Sequence, residues 1–462
     1  MPRPIGMPLL LAALAHGAPL VAEPAAALGP DEGAETRPNV VVIVADDMDY
    51  EHFGWAGYPL AQTPTLDALA REGVLFPQGF VPMSRCRPAH AAVLTGLWPH
   101  QNGVYFNVGA DHIDPDTSLA KLLAGSGYAT VGEGKFWEFD ARTMGFSNFM
   151  IRNYETFVRW DQEHLFGWLD EHAGKSPFFV WWAPELPHPP HDPPDRLLER
   201  IPLESVPVPD WFQGDEAARA EFRRRERVFL AMEAWLDEGV SALEHKLESL
   251  GVQDDTLYVF LVDNGWANGC VSKGWGLDKG LRTPIFLRWP RGFAGGASHD
   301  DLVSAVDLYA TILDLARVPI PAGCEGRSLR ARLEGGAGEP REALYGALYP
   351  LEPTQDRADP ARDAYGLWAR TQRWKLVLTL RDVFAVADAG GSDSEREDVK
   401  VSLGPDFARK RGQVELYDLE ADPHERIDVS GRPENAEVLA RLRREVFAWW
   451  KTTGGGPLAL SE

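Results

Sequence analysis

Cysteine is scarce. Cys86, Cys270 and Cys324 are the only three in 462 residues. That count excludes a disulfide-stapled scaffold, and no spacing among them singles out a pair. Cys270 and Cys324 read as small buried hydrophobes. Positive charge is also in deficit, with 46 Lys and Arg against 69 Asp and Glu and a formal net charge of −23. So acidic a chain lacks the basic footprint of general nucleic-acid binding. An acidic protein can still hold a local positive field in a pocket for an anionic substrate. Beyond the N-terminus no stretch is apolar enough for a membrane helix, and there is no internal repeat. What is present is ordinary for a globular protein: 44% hydrophobic and 25% charged residues. The length allows two or three domains, or one large α/β domain with an appendage, and a core that needs no staples.

The N-terminus reads as a processed leader. Residues 1–6 carry one Arg and no acid, 7–15 are a short apolar run, and small residues continue through Ala27. This order predicts a secretory signal over 1–27. The run is too short to span a bilayer, and no Cys follows it to take a lipid. The mature protein is therefore expected to be exported, periplasmic or extracellular, without stable membrane insertion.

Residues 38–45 (PNVVVIVA) form a β-branched apolar run that suits a strand buried on both faces. Residues 256–262 (TLYVFLV) repeat the pattern. Further strands are expected at 128–131, 177–183 and 285–289. Helices are expected at 63–73, with Thr63 as cap and Pro64 in its first turn, and at 88–96, 118–127, 217–250 and 302–316. Strands alternating with helices predict an α/β architecture with a mainly parallel sheet. After about residue 335 the texture changes. Residues 367–379 and 414–419 read as strands of an antiparallel element, 388–398 as a Gly/Ser/acid loop, and 433–450 as an amphipathic closing helix. The expected division is a large α/β domain over 38–337 and a smaller α+β domain over 338–462.

Asp46 and Asp47 follow the first buried run, and Asp263 and Asn264 follow its counterpart. In open parallel sheets, ligands bind beyond the carboxyl ends of strands. Carboxylates gathered there repel one another unless a hard cation joins them. All-oxygen ligation suits Ca²⁺ or Mg²⁺ rather than Zn²⁺. Taken singly, each pair also suits a turn or a cap. A lone Lys135 or Lys273 also suits a solvated surface, and His188 a polar loop.

The segment Cys86-Arg87-Pro88-Ala89-His90, running through a hydrophobic stretch to Thr95-Gly96, resembles the sulfatase signature Cys-x-Pro-x-Arg…Thr-Gly. PNVVVIVADD, TPTLDALAREGVLF, GKFWEF at Lys135, APELPHPP at His188, LVDNG at 261–265, the stretch 273–284 and ELYDLEADPHE follow in the family's order. The resemblance covers nearly the whole mature chain. It implies an alkaline-phosphatase-like fold and hydrolysis of a sulfate monoester on a small molecule or saccharide. It implies that a formylglycine-generating enzyme oxidises Cys86. One hydroxyl of the hydrated aldehyde then attacks sulfur while a general acid protonates the departing alcohol. It further implies one Ca²⁺, with Mg²⁺ as the alternative, held by Asp46, Asp47, Asp263, Asn264 and the converted Cys86. Lys135 and Lys273 would bind sulfate oxygens, and His188 would serve as the acid or as a sulfate contact. Positive charge that strengthens in the transition state, together with Lewis acidity, suits so anionic an electrophile. Pro88 is expected to open a helix just after Cys86, whose N-terminus favours an anion.

Departures from the family pattern fall in the same motifs. His90 stands where the signature has Arg, losing a permanent charge and a fork of donors. Trp137 stands where the family has His, and Trp cannot act as a base. Asp278-Lys279-Gly280 replaces Glu-Gly-Gly. Two expectations follow. Either His90, on the same helix face as Cys86, takes the proton of the hydrate, or Cys86 is not converted and the protein binds anions with impaired catalysis. The competing enzyme class is a phosphonate or phosphate ester hydrolase. Trp137, Trp181, Trp182, Trp266 and Trp275 lie near motif ends, where they suit sugar rings or a core. The net charge opposes long anionic polymers at low salt.

Overall fold

The first apolar run is strand β1, Asn39–Ala45, buried along its whole length. The computed structural model describes residues 37–107, 113–138, 140–151, 162–212, 214–350, 359–384, 408–458 and 460. The expected signal over 1–27 and the loop over 388–398 lie outside the described residues. The next strands are β2 (Val74–Phe76), β3 (Gly79–Phe80), β4 (Ala129–Gly134), β5 (Asn148–Ile151), β6 (Phe178–Ala183), β7 (Thr256–Val262), β8 (Ile285–Arg288), β9 (Ala297–Ser298) and β10 (Val303–Ser304). Eight of them form one sheet in the order β5–β4–β6–β1–β7–β8–β2–β9, and β3 pairs with β10 apart from it. The run β5–β4–β6–β1–β7 is parallel, and β8 is antiparallel to both its neighbours.

Helices cover both faces, which is why the central strands are continuous apolar runs. Val40, Val42 and Val44 enter one core, and Val41 and Ile43 the other. Trp181 and Trp182 divide in the same way. The helix Glu216–Ser249, its N-terminus capped by the Asp215 side chain, lays Met232, Leu236, Val240, Leu243 and Leu247 on the second face. Helix α1 (Pro64–Glu72) has Thr63 at its N-cap position, but the Thr63 side chain caps nothing. Its hydroxyl donates instead to Asp67 at 3.3 Å. Helix α2 begins at Cys86 rather than Pro88 and runs to Thr95. Pro88 falls in its first turn, where a missing N–H costs no intrahelical bond.

The antiparallel element is a four-stranded sheet of Ala343–Leu348, Gly366–Thr371, Trp374–Thr379 and Val414–Asp418. The stretch 367–379 is thus a hairpin of two strands. The closing helix, Ala436–Thr452, buries Leu442, Val446, Phe447 and Trp450 against this sheet. A buried ion cluster fastens it to the DKG turn. Asp278 takes Arg370 and Lys375, each at 3.0 Å. The Asp278 N–H donates to Glu425, from the ELYDLEADPHE motif, at 2.6 Å.

Candidate active site

Four adjacent parallel strands, β4, β6, β1 and β7, end at one edge of the sheet, so the residues that follow them meet there. Lys135 follows β4, His188 lies in the loop leaving β6, Asp46 and Asp47 follow β1, and Asp263 and Asn264 follow β7. Backbone bonds hold the register. The N–H groups of Lys135, Asp46 and Asp263 donate to Ala183, Leu186 and Ala45 at 2.8, 2.9 and 2.9 Å. Gly134 (φ +104°) is required by close approach, since a Cβ there would stand 2.1 Å from the Ala183 carbonyl oxygen. Asp47 adopts a left-handed φ of 63°, a conformation Asp tolerates. Its N–H then donates to Asp263 Oδ1 at 3.1 Å.

Helix α2 delivers Cys86 to the centre of this edge as its first residue. The Sγ lies 3.3 Å from Asn264 Oδ1, 3.4 Å from Asp46 Oδ1 and 4.0 Å from Asp47 Oδ1. Ligand atoms of Asp46, Asp47, Cys86 and Asp263 all lie within 4.8 Å of one another, as do those of Asp46, Cys86 and His188. Lys135 Nζ pairs with Asp46 Oδ2 at 2.5 Å, and Lys273 Nζ with Asp47 Oδ2 at 2.6 Å. Asn264 Nδ2 donates to Asp47 Oδ1 at 2.6 Å. His188 places Nε2 at 3.7 Å from Asp47 Oδ2, while its Nδ1 bonds the Pro189 carbonyl at 2.8 Å. His90 Nε2 lies 3.5 Å from Asp263 Oδ2, and its ring stands edge-on to Trp137 and Trp181. Asp46, Asp47, Cys86, His90, Lys135, His188, Asp263, Asn264 and Lys273 therefore meet in one buried cluster.

The electrostatics of that cluster are unbalanced. Three carboxylates face two ammonium groups. Burial, and then repulsion from Asp263, pushes Asp46 above its usual range, and burial with repulsion from Asp47 does the same to Asp263. Burial also opposes ionisation of Asp47, yet Lys273 and His188 bring it down to about 2. No hydrogen-bond donor among the described residues reaches Asp263 Oδ2. Burial and the adjacent carboxylates push the Cys86 thiol well up, so it stays protonated and poorly nucleophilic. Burial brings His90 down to about 3, and burial with Lys135 brings His188 down to about 4. Both rings are neutral at neutral pH. The donor set fits a hard dication: its oxygens come from carboxylates and one amide, it carries surplus negative charge, and one buried carboxylate oxygen has no donor.

Other residues were visible in the sequence but had no assigned role. Arg87 pairs with Glu138 at 3.2 Å, and Arg85 sits beside Cys86 with no carboxylate partner among the described residues. Two arginines bracketing one cysteine in so acidic a chain was the available signal. His52 lies between Glu226 and Glu233 on the long helix, 3.0 Å from each, and so anchors the loop that follows Asp47. Lys279 of the DKG turn bonds Asp49 and Glu51. Among the tryptophans, Trp181, Trp182, Trp266 and Trp275 are core residues, whereas Trp137 is half-buried and lies 5.0 Å from the Lys135 ammonium.

The sulfatase family profile matches residues 38–318, and a profile described as N-sulphoglucosamine sulphohydrolase, C-terminal, matches 267–399. Human N-sulphoglucosamine sulphohydrolase is 28% identical over 476 residues, covering 90% of this chain and 91% of that protein. A protein solved with its substrate D-glucosamine-2-N,6-O-disulfate superposes with a TM-score of 0.74 at 20% identity, over 92% of this chain and 100% of that one. The phosphonate monoester hydrolase of Agrobacterium radiobacter gives 0.70 at 19%, over 90% and 96%. These superpositions establish the alkaline-phosphatase-like fold.

Proposed function

The chain belongs to the sulfatase family, and from that premise we propose that it hydrolyses the sulfate monoester of a carbohydrate. In this reading Cys86 is the position converted to formylglycine, and Asp46, Asp47, Asp263 and Asn264 hold one calcium ion. The carrying observation is the convergence of three carboxylates and an amide oxygen on the side chain of residue 86, beside two buried lysines. A thiol is a soft donor and fits a hard cation poorly, whereas an oxygen at the same position completes the set. When present, the cation supplies Lewis acidity toward the anionic head of the ester, and the converted side chain supplies an oxygen nucleophile.

The chain's own groups do the rest. Lys135 and Lys273 balance Asp46 and Asp47 on one side and offer buried positive charge to sulfate oxygens on the other. Helix α2 begins at this site, so the positive end of its dipole also favours the anion, while its Arg87 N–H is taken by Asn107 Oδ1 at 3.2 Å and Pro88 has none. His188 gives its Nδ1 proton to the Pro189 carbonyl, so the neutral ring presents a lone pair at Nε2. It becomes the acid for the departing alcohol by taking up a second proton, which an anionic ester beside it favours. His90 is a neutral ring with no hydrogen bond to either nitrogen among the described residues. It is the available acceptor for a proton from residue 86, where Trp137 cannot serve. Export through the leader and maturation by a formylglycine-generating enzyme belong to the same reading.

Peptide mass spectrometry on protein co-expressed with a converting enzyme tests the first step. An aldehyde at position 86 supports the proposal. An unmodified thiol points to an anion-binding relative, the reading favoured by His90 and Trp137 in place of the family's Arg and His. Rates on an aryl sulfate, an aryl phosphate and a phosphonate monoester test the second step, and faster phosphorus chemistry overturns the sulfatase assignment.

A further inference from the structure

We infer that Arg85 binds a second anionic group on the substrate, apart from the sulfate that is cleaved. The inference rests on the reading of the site given above and names what else the substrate carries. Arg85 is the N-cap residue of α2, immediately before Cys86. Its side chain is 3% exposed, and neither Nε nor Nη1 has a hydrogen-bond partner among the described residues. Arg87 and Arg370 are equally buried at 3%, and each has an internal carboxylate, Glu138 and Asp278 respectively. Among the described residues no carboxylate is supplied to Arg85 Nε or Nη1.

A buried guanidinium without a partner is strongly disfavoured, so its partner is expected to arrive with a ligand. The guanidinium is tied to Cys86 through the backbone. It also packs against Gly274, the neighbour of Lys273, where a Cβ would stand 3.0 Å from Nη2. It therefore borders the anion site. Lys135 and Lys273 pair with the carboxylates of that site, but Arg85 has no ion pair with Asp46, Asp47 or Asp263. It is thus placed to take a separate oxyanion on the same small ligand. The planar fork of donors matches a carboxylate or a second sulfate.

The test compares the converted parent with Arg85→Gln and Arg85→Lys. The substrates are glucosamine 6-sulfate, glucosamine-2-N,6-O-disulfate and a 6-sulfated disaccharide bearing a uronic acid. The parent should prefer a doubly anionic ester. Arg85→Gln should collapse the kcat/KM ratio of doubly to singly anionic substrate at least tenfold, through KM, and Arg85→Lys should collapse it partly. Whichever of the two doubly charged esters shows the collapse identifies the second group as sulfate or carboxylate. An unchanged ratio for both overturns the inference and leaves the hydrolase reading intact. Calorimetric binding of the same ligands to calcium-loaded, unconverted protein separates the two. A tenfold loss of affinity for the disulfate relative to inorganic sulfate in Arg85→Gln, in protein that turns over no ester, upholds the anion subsite while the hydrolase reading fails.

Discussion

Replacing Asp263 with Asn tests whether these carboxylates converge to hold a cation. The substitution keeps the shape. Oδ1 can still accept from the Asp47 N–H at 3.1 Å, and the new amide N–H takes the place of Oδ2, which faces the neutral His90 Nε2 at 3.5 Å. What is lost is one of three charges whose ligand atoms lie within 4.8 Å of one another. Two like charges at that spacing repel by about 3–4 kcal/mol at an effective dielectric near 20. Lys135 and Lys273 offset part of this, so at pH 8 in a chelator the variant should be about 1–3 kcal/mol more stable than the parent. With calcium the sign reverses, because a ligand is gone. At calcium 100-fold above the parent's Kd the parent gains about 2.7 kcal/mol, and a hundredfold weaker variant gains only about 0.4 kcal/mol. Urea unfolding in chelator and in calcium, with calorimetric titration of the metal, measures both halves. A variant that is less stable in chelator and keeps the parent's calcium increment would refute the cation-site argument.

In the converted enzyme, His90→Ala should lower kcat by roughly 10²-fold or more with a much smaller change in KM; an undiminished kcat removes His90 as the proton acceptor. Lys375→Met strips one of the two close cations from the fully buried Asp278 and should cost about 3 kcal/mol in chemical denaturation. A loss below about 1 kcal/mol would mean that Arg370 alone suffices. Burial, with the Asp278 charge beside it, pushes Glu425 up to about 8 from an ordinary 4.5. The folded state thus keeps a proton that the unfolded chain releases, so this stabilisation is full below about 4.5 and lost as pH rises through 8. Glu425→Gln should flatten that decline across pH 5–9, and an equally steep fall in the variant would assign it to other groups.

Much of the site was legible because its parts are local. The runs 38–45 and 256–262 announce strands buried on both faces, and a polar Asp-Asp or Asp-Asn step at the end of such a run marks the edge where ligands bind. Cys86, Lys135, His188 and Lys273 sit in short motifs whose order is a property of the sequence alone. Pro88 reads as an opening residue, yet α2 starts two residues before it. The backbone turns helical at Cys86, and Pro is tolerated anywhere in the first turn.

By itself, the sequence determined which segments are buried, which residues end them and which cysteine lies in the signature-like turn. All of that follows from short-range periodicity and residue chemistry. Only the tertiary structure decided that β4 and β6 lie beside β1 and β7, bringing Lys135 and His188 against Asp46 and Asp47. It also decided which buried charges have partners. Arg87 reaches Glu138 and Lys375 reaches Asp278, while Arg85 reaches no carboxylate among the described residues. Whether a charge is solvated, paired or left waiting depends on neighbours far away in the chain, and no local pattern of residues records them.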